Sequence, residues 1–255
     1  MSISSQLLIL NETKNNIKTA INLKGVSVTN EPFAEYPDKV RLIPNGGGIY
    51  DSTIIAYLEG SIKNADIPLG TTAIEQYAFG NCPKLKSVSI PNTVTYIGTR
   101  AFWDCPITTL SIPGSVLTIG SGAFTGTGIT SLTLGNGITT IGEHAFYNCS
   151  GLTSVVIPDS VTSIGAAAFQ ICYHLSSVTI GTGVTQIGDY AFQSGNIEEI
   201  VCLAVSPPTI GNTVFGEFYS VYKIYVPDDS VLAYQTADGW MNYASKIKGI
   251  SEKPQ

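Results

Sequence analysis

The chain has 255 residues, 44% of them hydrophobic and only 13% charged, with a formal net charge of −6. Such a length buries a large core, while the acidic balance and the lack of a basic stripe exclude nucleic-acid backbones and anionic membrane surfaces as partners. No run approaches the ~18 apolar residues of a membrane-spanning helix, so no membrane insertion is expected. The start Met1-Ser-Ile-Ser-Ser-Gln-Leu-Leu-Ile-Leu10 lacks the basic region of a signal peptide, so a role outside a cell implies delivery by another route.

Residues 1–45 follow no repeat and read as a helical attachment segment. Asn11–Lys24 is expected to be a helix, with Ile17 and Ile21 one turn apart and Gly25 as its stop. A second helix is expected from Pro32 to about Ile43, with Phe33, Tyr36, Val40 and Ile43 on one face, before the hinge Pro44-Asn-Gly-Gly-Gly48. Two short helices cannot hold a core alone. Ile17, Ile21, Phe33, Tyr36 and Val40 are therefore candidate assembly contacts, on the first coil, on a larger partner or in a homo-oligomer. No sustained heptad specifies a number of copies.

From residue 46 to 216 a phrase recurs: Ile74-Glu-Gln-Tyr-Ala-Phe79, Ile97-Gly-Thr-Arg-Ala-Phe102, Ile119-Gly-Ser-Gly-Ala-Phe124, Ile141-Gly-Glu-His-Ala-Phe146, Ile164-Gly-Ala-Ala-Ala-Phe169 and Ile187-Gly-Asp-Tyr-Ala-Phe192. A period of 22–23 residues is the mark of a solenoid whose coils bury their apolar side chains against one another. Before each phrase but the first lies a short alternating segment such as Leu85-Lys-Ser-Val-Ser-Ile90 or Ile107-Thr-Thr-Leu-Ser-Ile112, the signature of a strand with one buried face. The phrase itself predicts a turn and about one helical or 3-10 turn. Its Ile and Phe point inward, and its glycine serves either positive φ or a close backbone approach. A degenerate coil occupies about 52–70 and a changed one surrounds Phe215, giving seven to eight coils. Residues 217–255 then supply a C-terminal cap, without which the last coil would expose apolar side chains and strand edge.

These copies, with the pattern L-x-x-[IVL]-x-[IVL]-P-x-x-[VI]-x-x-I-G-x-x-A-F-x-x-C, closely resemble the BspA-like (Treponema pallidum type) leucine-rich repeats of bacterial surface proteins. The resemblance implies a right-handed repeat solenoid with a parallel sheet on its concave side and a role in adhesion or protein binding. The segment Thr13–Val40, with Lys24-Gly-Val and Pro32-Phe-Ala-Glu-Tyr-Pro, resembles tail and fibre proteins of bacteriophages over a much shorter stretch.

If Val88 and Ile90 point inward, the opposite phase of the strands faces solvent. Ser87, Ser89, Thr109, Ser111, Ser131, Thr133, Ser154, Val156, Ser177 and Thr179 then form a nearly uncharged ladder that ends in Glu199 and Val201. Read blandly these are ordinary solvent-facing residues; read functionally they are a face for a protein or a surface glycan, in which copy number multiplies weak contacts. Cys82, Cys105, Cys149 and Cys172 share one phase, with Thr127 in the gap. They form a line rather than a point of convergence, which favours small buried side chains over an inter-coil disulfide (Cys82–Cys105 or Cys149–Cys172) or zinc, and Cys202 reads as core. His144 and His174 lie in different phases, His144 at a solvated position, and Asp228 or Asp229 reads as a helix N-cap. No catalytic residue, metal site or cofactor is indicated. The expectation is a non-enzymatic binding or structural protein, a bacteriophage virion appendage first, with a bacterial cell-surface adhesin as the alternative.

Overall fold

Period-two alternation along each repeat puts one row of branched side chains on the inside of the chain's path, and stacking successive coils buries that row. The computed structural model describes residues 63–67, 69–194, 197–216 and 223–254. The N-terminal segment, with Ile17, Ile21, Phe33, Tyr36 and Val40, lies outside the described residues. Strands are numbered in chain order. The longer ones are β1 (Asn64–Asp66), β3 (Ser87–Ser89), β5 (Thr109–Ile112), β7 (Ser131–Leu134), β9 (Ser154–Ile157), β11 (Ser177–Ile180) and β13 (Glu199–Cys202). They pair in parallel as β1–β3, β5–β7 and β9–β11–β13, with the inward residues in register: Leu110 beside Leu132, Val155 beside Val178.

Between the longer strands runs a second parallel sheet that the repeat pattern did not announce. Two residues per coil build it: β2 (Ala73–Ile74), β4 (Tyr96–Ile97), β6 (Thr118–Ile119), β8 (Thr140–Ile141), β10 (Ser163–Ile164), β12 (Gln186–Ile187) and β14 (Thr209–Ile210), in one continuous order. Ile97, Ile119 and Ile141 are fully buried beneath it. The expected helical turn after it is absent among the described residues. In its place two residues in each coil from Tyr77 to Ile171 adopt positive φ: Tyr77 and Asn81, Arg100 and Asp104, Gly122 and Gly126, His144 and Asn148, Ala167 and Ile171. Left-handed residues set between ordinary ones aim alternate N–H groups along the stack. The amides of Arg100, Phe102 and Asp104 accordingly donate to the carbonyls of Ser121, Ala123 and Thr125 in the next coil at 2.8–2.9 Å. This third ladder satisfies the turn backbone and offsets the roughly 1–3 kcal/mol strain of each left-handed non-glycine residue.

The glycines of the phrase therefore have a different task from positive φ. A Cβ on Gly120 would stand 2.8 Å from Gly98 C, Ile97 O and Thr99 N, so these glycines permit close coil-to-coil approach. On the inside, the phenylalanines form one column from Phe79 through Phe102, Phe124, Phe146, Phe169 and Phe192 to Phe215. Neighbouring rings are near-parallel, with centroids 5.0–6.0 Å apart.

The C-terminal region both continues the stack and closes it. β15 (Lys223–Val226) and β16 (Ile247–Gly249) add two rungs to the longer-strand sheet, whereas the second sheet ends at β14. Between those rungs, the short helix α1 (Val231–Thr236) and a 3-10 segment at Trp240–Lys246 replace the usual turn. Trp240 and Tyr243 meet the last ring of the column, Phe215, at 5.5 and 5.6 Å and at steep angles, which ends the stacking. Two buried polar groups of the cap find carbonyls: Trp240 Nε1 donates to Pro208 O (2.8 Å) and Tyr234 OH to Ala204 O (2.7 Å). Asp228 makes no side-chain helix cap. Its Oδ1 instead accepts from the amide and the hydroxyl of Ser251, one repeat later.

Candidate functional site

The outward phase of the longer strands is a two-column face. Pairing sets Thr109 beside Ser131, Ser111 beside Thr133, Ser154 beside Ser177 and Val156 beside Thr179. Ser87, Ser89, Thr109, Ser111, Ser131, Thr133, Ser154 and Val156 are exposed, and Ser177, Thr179 and Glu199 half-buried. No charge interrupts the face from Ser87 to Thr179, and Val156 stands 63% exposed near its centre. The ladder does not end where the sequence placed it. Val201 is only 8% exposed and Tyr225, its neighbour on β15, is buried. Lys253 reaches back to bond Glu199 and lies 6.0 Å over the Tyr225 ring. That contact joins residues 54 positions apart, which no local pattern shows. The free face is therefore that of β3 to β11.

The opposite, turn side of the coils carries aromatic and charged side chains that the repeat consensus leaves open. Arg100 stacks 5.9 Å over Tyr77; His144 contacts the Tyr147 ring edge-on at 5.3 Å and Glu143 at 3.4 Å. His144 is thus half-buried and partnered rather than merely solvated. His174 contacts Ser150 O through Nδ1.

The cysteine column is an interior seam. All five cysteines are free and buried. Cys105, Cys149 and Cys172 each donate to the carbonyl of the phenylalanine one coil back: Phe79, Phe124 and Phe146, at 2.9, 3.4 and 3.3 Å. Thr127, in the same column, bonds Phe124 O at 2.9 Å and Cys149 Sγ at 3.2 Å. The Cys105 and Cys172 thiols are pushed well up, each by its hydrogen bond to the cysteine one coil back (Cys82, Cys149) and then by burial; burial does the same for Cys202. Protonated thiols are poor nucleophiles. They also predict a pH dependence. Against its burial, the bonds from Cys172 and Thr127 draw the Cys149 thiol down, so the pH dependence rests on Cys202, whose proton the unfolded chain sheds above roughly pH 8.5 while the native chain keeps it; stability falls as pH rises through that point. Urea unfolding at pH 7.0 and 9.5 is expected to show the lower stability at pH 9.5. A stability unchanged at pH 9.5 would contradict a native Cys202 that keeps its proton.

Parallel coils of 22–23 residues, a long-strand sheet and a continuous phenylalanine column define a leucine-rich-repeat solenoid. The model of the BspA type leucine rich repeat region matches six copies here, over residues 55–150 and 117–237, and the chain belongs to that family. A leucine-rich repeat protein of Treponema pallidum is similar at 28% identity and a TM-score of 0.57, covering 62% of this chain and 78% of its own. A leucine-rich repeat protein from Bacteroides ovatus is 20% identical with a TM-score of 0.47 over 74% of this chain, and this chain spans 61% of it. A leucine rich cell surface protein from Faecalibacterium prausnitzii is 23% identical with a TM-score of 0.39 over 77% of this chain, which spans 62% of that one. None of the curated proteins matches. No helix among the described residues is long and apolar enough to cross a membrane.

Proposed function

We propose that this chain is a non-enzymatic binding module that docks a protein on the outward face of β3 to β11 and is displayed at a bacterial cell surface. The observation that supports this reading most is the uncharged hydroxyl face with Val156 exposed near its centre. Ser and Thr hydroxyls are buried at little cost where a partner's polar groups take over their hydrogen bonds, and exposed Val156 adds an apolar contact within that field. Membership of the BspA-type repeat family supports both the protein-binding role and the surface location.

The test places a photo-crosslinking residue at Thr133, and separately at Thr140 on the second sheet, in chains displayed to host and bacterial surface proteins. Adducts are expected from position 133 and not from 140, and Val156→Arg is expected to abolish them while leaving the melting temperature unchanged. Equal adducts from both positions would remove the assignment of this face.

A second reading has one observation behind it: the resemblance of Thr13–Val40 to bacteriophage tail and fibre proteins. In it the same solenoid is a virion appendage, a fibre, decoration or host-attachment protein, assembled through Ile17, Ile21, Phe33, Tyr36 and Val40. Light scattering of the intact chain and of one starting at Asp51 tests it. This reading expects an oligomer that the shorter chain loses, and two monomers would count against it.

A further inference from the structure

We infer that the turn side of the coils carrying Phe102, Phe124 and Phe146 is a second binding site, on a face separate from the strand face, for an extended, uncharged β-1,4-linked oligosaccharide. The geometry starts from register. Trp103 and Tyr147 each follow the repeat phenylalanine, so they occupy the same place two coils apart, and the ring column beneath them advances 5.2 and 5.4 Å over those steps. The coil between them carries Gly122, Thr125 and Gly126 on its turn, a low floor flanked by an indole and a phenol.

Both rings are held in place. A Cβ on Gly80 would come within 3.7 Å of Trp103 Cε3, so the indole lies against the glycine of the preceding coil; His144 packs edge-on against Tyr147 at 5.3 Å. In a β-1,4-linked chain alternate sugars are turned over, so every second pyranose presents the same C–H face. A chain laid along the stack sets one sugar on Trp103 and the next but one on Tyr147, with the sugar between them passing over Gly122 and Thr125. Arg100 Cγ lies 3.2 Å from where a Cβ would stand on Gly122, and Asp104 Oδ1 3.4 Å from one on Gly126, so both side chains border the floor between the platforms.

The same observations argue against a peptide here. The amides of Phe102, Asp104, Phe124 and Gly126 are already bonded to the next coil, so a peptide strand finds no edge to pair with. Of the exposed aliphatic residues nearest in sequence, Leu117 precedes β6 and Val156 lies on the strand face, so the apolar surface of this site is mainly aromatic.

The chain reports on the site by itself. Of its two tryptophans, Trp103 is 37% exposed and Trp240 fully buried, so a ligand on the turn side changes the Trp103 emission. Titration of the full chain with cellohexaose and chitohexaose is expected to shift that emission to the blue, with maltohexaose, whose α-links curve the chain, binding more weakly. Tyr147→Ala is expected to weaken binding about fivefold, the loss of one stacking contact. Tyr147→Phe is expected to keep the affinity, and Val156→Arg to leave it untouched, which separates this site from the strand-face reading. Silence with both β-linked hexasaccharides, equal binding of maltohexaose, or an affinity unaffected by Tyr147→Ala would overturn the proposal. So would a protein partner whose capture Tyr147→Ala abolishes while the sugars stay silent.

Discussion

Phe146→Ala is expected to lower stability by about 4 kcal/mol or more, the upper part of the range for truncating a buried aromatic, and to change the shape of the unfolding curve. Phe146 is fully buried, with ring centroids 5.4 Å from Phe124 and 5.0 Å from Phe169. Removing the ring forfeits its own burial and two stacking contacts, each about 0.5–1.5 kcal/mol beyond area. The neighbours cannot collapse into the gap, because the coils above and below are fixed by three backbone ladders. A solenoid's stability is close to a sum of coil and nearest-neighbour terms, so a lesion in the middle weakens the coupling between its halves. Urea unfolding followed by circular dichroism is expected to broaden or separate into two steps, with a smaller slope against denaturant. Phe79, half-buried at the start of the column, is expected to cost less when truncated. A single sharp transition with an unchanged slope for Phe146→Ala would argue that the column does not couple the coils.

The column, the long-strand sheet and the outward Ser/Thr face were legible in the sequence because each depends on a phase that repeats every 22–23 residues. Ile97, Phe102 and Cys105 keep their places in copy after copy, and period-two alternation alone sorts Val155 inward and Ser154 outward. What escaped depends on contacts without a repeating signal. The second sheet is two residues wide and falls below any periodicity. Of the left-handed positions, Asn81, Asp104, His144 and Asn148 carry residue types enriched at positive φ, but Tyr77, Arg100, Ala167 and Ile171 do not; the bonds to the next coil hold them there. The face stops short at Val201 because of a contact from Lys253, and Asp228 serves Ser251 instead of a helix. The platforms Trp103 and Tyr147 become a pair only once the coil stacking is known, with Trp103 exposed and Tyr147 half-buried at the same place two coils apart.

Two glycine substitutions six residues apart are expected to act in opposite directions. Gly120→Ala is expected to cost about 3 kcal/mol, at the severe end of overpacking, because its new methyl group would meet three backbone atoms at 2.8 Å: Gly98 C, Ile97 O and Thr99 N. Backbone cannot rotate away as a side chain can, so relief requires the coils to part, and parting stretches the ladder bond from the Gly120 amide to Ile97 O, 2.7 Å long. The same restriction recurs at Gly98, Gly142, Gly165 and Gly188, whereas Glu75, exposed, fills this position in the first phrase. Gly114 sits at the corner after β5, where a Cβ would find nothing nearer than Asn136 at 3.7 Å and where φ is not positive. Gly114→Ala is therefore expected to stabilise by about 0.4–1 kcal/mol, by restricting the unfolded chain alone. Chemical denaturation of the two variants beside the parent chain checks both signs at once. If Gly120→Ala matched Gly114→Ala, the close approach of coils would not be what selects glycine in the repeat, and the conformational freedom of the turn would have to replace it as the cause.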